Sequence, residues 1–355
     1  MQTFEVERWS GLRAAMIRTR PDAFTRDEWA YLIAFLDAGH LQEIVRSASA
    51  PNAVARPRGT VAVWLPNNVS LLGPLTLILL SLTGNELFMK EGSRADALTL
   101  AFADYVRANG GAELLERAEI LRAERNDPAV LERTAQADVV IVFGSDEAVA
   151  AAARYVRPGA TLIPFSDRRS EAWLSGQPAD DVLADLIKVF AIYGQAGCTS
   201  PARVVALDGN AEEIRDRIVR LWPERLRNRE PHVASSNVLA AQLAAAAGWD
   251  AALVPGNTAV IASGVATLDV PQAGLVLPIV ALSVDDAIAS LPPNIQTVGH
   301  NVDAGTALAW LAGTPVKRIV PIAAMHHFGP VWDGRAWWRE CFEWIELSPG
   351  APPRA

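Results

Sequence analysis

Two short apolar runs, Thr60 to Leu65 (TVAVWL) and Asp138 to Phe143 (DVVIVF), constrain this chain more than any other feature. Each is almost continuously apolar and stops at turn residues, Pro66-Asn67-Asn68 in one case and Gly144-Ser145 in the other. A strand with no polar face must be covered on both sides, which is the situation of a parallel sheet sandwiched between helices. The segments around them agree. Residues 75–83 read as an apolar helix closed by Gly84-Asn85, Glu86 to Lys90 as a second strand, and Ala95 to Asn109 as another helix. Ala118 to Ala123 reads as a poor strand or turn, Glu147 to Val156 as a helix, and Gly159 to Pro164 as a further strand. This βαβα order predicts a doubly wound nucleotide-binding domain over residues 60–170, with its ligand at the carboxyl ends of the strands.

Upstream, Thr25-Arg26-Asp27-Glu28 has the form of a capping box, so a helix is expected from there to a stop near Gly39. Ser47 to Gly59 is polar and is expected to be a connector. Downstream, a helix over Asp181 to Phe190 precedes a strand at Arg203 to Leu207, and helices follow at Ala211 to Trp222 and Ala234 to Ala247. Thr258 to Ser263, Gly274 to Ala281 and Arg318 to Pro321 have strand character. The expected fold class is therefore α/β, a doubly wound nucleotide-binding domain plus a second α/β catalytic domain. The boundaries expected are 1–180 for the first domain with its N-terminal helices, 181–320 for the second, and 321–355 for a C-terminal segment returning to the first. Trp332, Trp337, Trp338 and Trp344 would dock that segment by core packing.

Charge and cysteine content narrow the partners. With 32 Lys and Arg against 40 Asp and Glu the net charge is −8, and no basic stripe offsets it, which argues against a nucleic-acid partner. The longest apolar run, Leu71 to Leu82, is too short and too interrupted by Gly, Pro, Ser and Thr to span a bilayer. The opening MQTFEVERWSGLR lacks the apolar core of a signal peptide, so a cytoplasmic location is expected. Cys198 and Cys341 are the only 2 cysteines, which excludes a disulfide-built fold.

Cys198 stands in Gly194-Gln195-Ala196-Gly197-Cys198-Thr199-Ser200-Pro201, where small neighbours leave room for a carbonyl to approach sulfur. A helix starting just after it would help ionise the thiol. The same segment also fits a small buried hydrophobe. Asn67 and Asn68 lie at a strand-to-helix junction, where a carboxamide can face an oxyanion or simply serve turn chemistry. Lys90, closing a strand, suits a ribose hydroxyl or phosphate, or else water. Gly144-Ser145 offers a helix N-terminus to a pyrophosphate, although Asp146 and Glu147 there are also ordinary first-turn acids. No GxGxxG fingerprint is present. The adjacent His326-His327 pair has no CxxC or HExxH companion, so no metal is expected.

Taken in order, Asn68-Val69, Gly84-Asn85 with Lys90, Gly144-Ser145 and Cys198 resemble the motifs of the aldehyde dehydrogenase superfamily. VVIVFGSDEAV, Cys198-Thr199-Ser200-Pro201, Ile295-Gln296-Thr297-Val298-Gly299 and FGPVWDG at Phe328 to Gly334 are similar, more narrowly, to the LuxC-like fatty acyl-CoA reductases within it. The resemblance spans residues 58–345. It implies NADPH-dependent reduction of an acyl thioester, on CoA or acyl carrier protein, to an aldehyde through an acyl-cysteine intermediate. Cys198 would be the nucleophile and Asn68 the oxyanion amide, with Asn67 as the alternative. Lys90 would hold the adenosine ribose and Gly144-Ser145 the pyrophosphate. Ser93 stands where NAD-preferring relatives carry a repelling Glu, and Arg94 beside it would pair with the 2′-phosphate, so NADPH is the expected cofactor. A homodimer, or a partner enzyme that consumes the aldehyde, is a further implication.

Departures from the pattern inform as well. The stretch matching the superfamily's general-base segment, Leu162 to Ser170 (LIPFSDRRS), holds no Glu, which favours reduction over hydrolysis of the acyl-enzyme. No Glu for the nicotinamide ribose stands around Val270 to Leu275. The rival readings are a CoA-acylating aldehyde dehydrogenase running oxidatively and a non-reducing acyl-transfer or assembly subunit.

Overall fold

The runs TVAVW, apolar after its first residue, and VVIVF lie side by side in a parallel sheet, as burial on both faces requires. The computed structural model describes residues 2–47, 53–193, 195, 197–223, 226, 231–264 and 275–346. Gly194, Ala196 and residues 270–274 of the segments discussed above lie outside these. The chain forms two compact units, residues 1–166 with 328–355, and residues 167–327.

In the first unit, β1 is Ala53–Pro57, β2 Thr60–Trp64, β3 Glu86–Gly92, β4 Ala118–Ala123, β5 Val139–Phe143 and β6 Thr161–Phe165. The 5-stranded sheet has the order β4-β3-β2-β5-β6, every pair parallel, so the chain winds outward from β2 in both directions. β4, which reads poorly in the sequence, is a regular strand in register with β3 from Leu87↔Ala118 to Gly92↔Ala123. It sits at the sheet edge and is only partly buried, so its sequence is under weak apolar demand. The helix Arg26–Phe35 opens with both hydrogen bonds of the Thr25/Glu28 capping box. Gly39 does not end a helical region: it lies in the first turn of a second helix, Ala38–Ser47, where Asp37 Oδ1 accepts from His40 N at 3.2 Å.

The polar stretch before β2 is also not all connector. β1 pairs antiparallel with β14 (Phe342–Glu346). The C-terminal segment thus belongs to the first unit from Phe328, and Trp338, fully buried, donates its indole NH to Leu79 O at 2.6 Å.

The second unit carries β7 Arg169–Ser175, β8 Pro201–Leu207, β9 Asp250–Leu253, β10 Val260–Gly264, β11 Val276–Leu282, β12 Ile295–His300 and β13 Arg318–Pro321. They form a 7-stranded sheet in the order β13-β12-β7-β8-β11-β10-β9, parallel except for β9. The expected boundary at residue 180 is therefore too late. β7, for which the sequence offers no strand signal, carries the polar residues Ser170 and Glu171, yet it lies between β12 and β8 and both side chains are buried. Its alternation explains how: Ala172 and Leu174 enter the apolar cluster under one face of the sheet, while Trp173 enters the cluster under the other.

Candidate active site

In the first unit the candidate cofactor residues gather at the carboxyl ends of the parallel strands. Asn67 and Asn68 follow β2 and are exposed. The Asn67 carboxamide oxygen accepts from Arg94 N at 3.2 Å, tying the loop after β2 to the loop after β3. A Cβ on Gly92, the last residue of β3, would overlap that same oxygen, so glycine is what lets the two loops approach. Asn67 is thus engaged in holding the loops together.

Lys90, near the end of β3, is 7% exposed, and burial pushes its ammonium below the ordinary lysine range. No hydrogen bond or ion pair reaches that ammonium among the described residues. The negative charge of Glu124 offsets part of that cost without a direct hydrogen bond, so the buried ammonium keeps unused donors. The position therefore fits the hydroxyls or phosphate of a nucleotide. Ser93, one turn onward, donates its hydroxyl to Glu124 Oε1 at 2.7 Å, and Glu124 stands just past the end of β4. An acid is therefore present beside Ser93 after all, supplied by the neighbouring strand. No local pattern signals it, because Glu124 lies 31 positions away.

Gly144 and Ser145 begin the helix Asp146–Ala153, but their polar groups are already engaged. Gly144 N donates to Phe165 O at 3.1 Å, and the Ser145 hydroxyl oxygen accepts from Ala148 N at 3.3 Å as the N-cap. The Ser145 hydroxyl also donates to Glu147 and holds that carboxyl below its ordinary range. A pyrophosphate here would displace a self-made cap.

Cys198 lies in the second unit, in the turn between the helix Asp180–Ala191 and β8. No helix begins after it: β8 starts at Pro201, so the expected helix N-terminus is absent. Cys198 is partly exposed, whereas Cys341 is buried and burial raises its thiol far above the ordinary range. Only Cys198 has the access a nucleophile needs.

The turn is tied down on several sides. Gln195 holds a left-handed φ of 61°, and its amide brackets one residue of β11, donating to Val276 O at 2.8 Å and accepting from Val276 N at 3.2 Å. Ser170 Oγ donates to Cys198 O at 2.6 Å, and Ser200 N donates to Gly197 O at 2.9 Å. Thr199 Oγ1 meets His326 Nδ1 at 2.7 Å, and His326 Nε2 meets Val189 O at 2.7 Å. The sequence marks no role for Gln195, Ser170 or Thr199 and raises His326 only as half of a metal candidate; only adjacency to Cys198 could have flagged Gln195 and Thr199. Glu171 is the glutamate nearest in sequence to the segment that lacks the general base. It faces away from Ser170, accepting from Trp173 Nε1 at 3.0 Å and Arg203 Nη2 at 3.1 Å. His326 is likewise committed to protein partners, and no cluster of 3 or more His, Cys, Asp or Glu suited to a metal occurs among the described residues. No helix among them is long and apolar enough to cross a membrane.

The family model described as acyl-CoA reductase (LuxC) matches residues 41–339. The chain is 26% identical over 186 residues to a long-chain acyl-protein thioester reductase of Aliivibrio fischeri, a match covering 48% of this chain and 38% of that relative. The match thus spans less than half of the relative's length. Among solved structures, an NAD-dependent aldehyde dehydrogenase from Sinorhizobium meliloti superposes with a TM-score of 0.70 at 13% identity, covering 100% of this chain and 84% of that one. A mutant aldehyde dehydrogenase C from Pseudomonas syringae, complexed with NAD+ and octanal, gives 0.68 at 14% identity, covering 100% and 85%. The fold is that of the aldehyde dehydrogenases.

Proposed function

From the acyl-CoA reductase (LuxC) family, to which this chain belongs, we propose reduction of an acyl thioester to an aldehyde through an acyl group carried on Cys198. The observation that supports it most is the contrast between the two thiols: Cys198 is accessible on a constrained turn, and Cys341 is sealed in the core. In the first step the Cys198 sulfur attacks the thioester carbonyl. The bond to the carrier sulfur breaks, and the carrier thiol leaves with the proton that Cys198 gives up. The Asn68 carboxamide is proposed to donate to the oxyanion formed on the way. With Glu171 engaged by Arg203 and Trp173, the acyl-enzyme is not served by that carboxylate as a base for water.

A nicotinamide cofactor would supply the hydride that completes the reduction. Lys90, Ser93 and Arg94 are proposed to hold its adenosine end, with Gly144 and Ser145 near the pyrophosphate. NADPH is the proposed form, on the strength of the exposed Arg94 guanidinium, with Glu124 as an opposing charge. The carrier is CoA or an acyl carrier protein. The deciding experiment follows NADPH oxidation across acyl-CoAs of increasing length and an acylated carrier protein. Activity in the wild type that vanishes in a folded Cys198→Ala protein supports the reading. Acyl transfer to an acceptor without NADPH consumption would instead favour an acyl-transfer subunit.

A further inference from the structure

We infer that Thr199 and His326 form a positioning pair that sets the Cys198 turn for acyl transfer. The inference rests on Cys198 as the acyl acceptor. Both ring nitrogens of His326 are occupied, and their partners fix which carries the proton. Val189 O can only accept, so Nε2 carries hydrogen; Nδ1 is then bare and must accept from the Thr199 hydroxyl. Burial, with Arg318, His327 and Lys188 adding like charge nearby, lowers His326 to about 4, so this neutral tautomer persists at neutral pH. The edge of the ring also meets Tyr193, with centroids 5.1 Å apart. The ring therefore has one orientation and offers one acceptor.

The consequence falls on the residue next to the nucleophile. Thr199 anchors the turn on one side of Cys198, and the Gln195 amide, reaching β11, anchors it on the other. Left-handed backbone at a residue other than glycine persists only where its surroundings hold it. Between these anchors the Cys198 carbonyl is fixed by Ser170. Thr199, held by His326, thus joins Gln195 and Ser170 in determining where the sulfur stands.

The test compares wild type with Thr199→Val, Thr199→Ser and His326→Phe. Acyl-enzyme formation is followed in single turnovers, kcat and KM in the steady state, and the imidazole nitrogens by long-range 1H–15N spectroscopy. Thr199→Val and His326→Phe are expected to lower the acylation rate and kcat by about tenfold or more, since small misplacement of a reacting atom costs that much, with little change in KM. Thr199→Ser, which keeps the hydroxyl, should restore the rate, and the wild-type spectrum should show bare Nδ1 and protonated Nε2. Variants with lowered melting temperature but wild-type acylation would overturn the inference, as would Thr199→Ser being as slow as Thr199→Val. A wild type that takes up no acyl group would fail the functional reading instead. Iodoacetamide alkylation of Cys198 would then judge the positioning claim, which requires about a threefold or larger difference between wild type and Thr199→Val and none for Thr199→Ser.

Discussion

His326 shows how one buried residue links the site to stability. Its folded-state pKa, about 4, lies below the ordinary 6.5, so the unfolded chain takes up a proton first as pH falls. The stability is present in full above 6.5 and is lost between there and about 4, by roughly 3 kcal/mol in all. The midpoint of urea unfolding should therefore fall more steeply from pH 7 to 4.5 in wild type than in His326→Phe; parallel curves would refute a neutral buried imidazole. Arg94 and Glu124 carry the cofactor question at the same scale. Arg94→Glu should weaken NADPH far more than NADH, and Glu124→Gln should strengthen NADPH more than NADH, with dissociation constants measured by fluorescence titration. Equal changes for both cofactors would show that neither side chain reads the 2′-phosphate.

The loop after β2 tests a division of labour between adjacent asparagines. Asn67 closes the loop onto Arg94, whereas Asn68 is proposed to serve the oxyanion. Asn68→Ala should lower kcat by ~10²-fold with little loss of stability, and Asn67→Ala should cost about 1 kcal/mol of stability through the lost hydrogen bond. The reverse pattern would move the oxyanion role to Asn67. These elements also mark what the sequence could reveal. The buried centre of the first sheet was legible because TVAVWL and DVVIVF leave no polar face, and the Thr25/Glu28 box because its chemistry is local. β1 and β7 were not, and β4 only as a poor strand or turn. β1 and β4 are edge or two-stranded elements with exposed positions, and β7 buries polar side chains whose partners, Cys198 and Arg203, come from elsewhere in the chain.

At the scale of the whole molecule, the candidate site was readable as residue types and unreadable as a network. Cys198, Lys90 and Arg94 stand out by chemistry and motif order. Glu124 against Ser93 and His326 against Thr199 join residues 31 and 127 positions apart, and no local pattern encodes such pairs. The domain boundary failed for the same reason, since the strand that moves it is recognisable only by its neighbours β8 and β12. The central claim, that Cys198 carries the acyl group, is tested most directly by intact-protein mass spectrometry after incubation with a long-chain acyl-CoA in the absence of cofactor. The wild type and Cys341→Ala should each gain the mass of one acyl group, which NADPH then removes, and Cys198→Ala should gain none. An adduct that persists on Cys198→Ala, or one that maps to Cys341, would contradict the account.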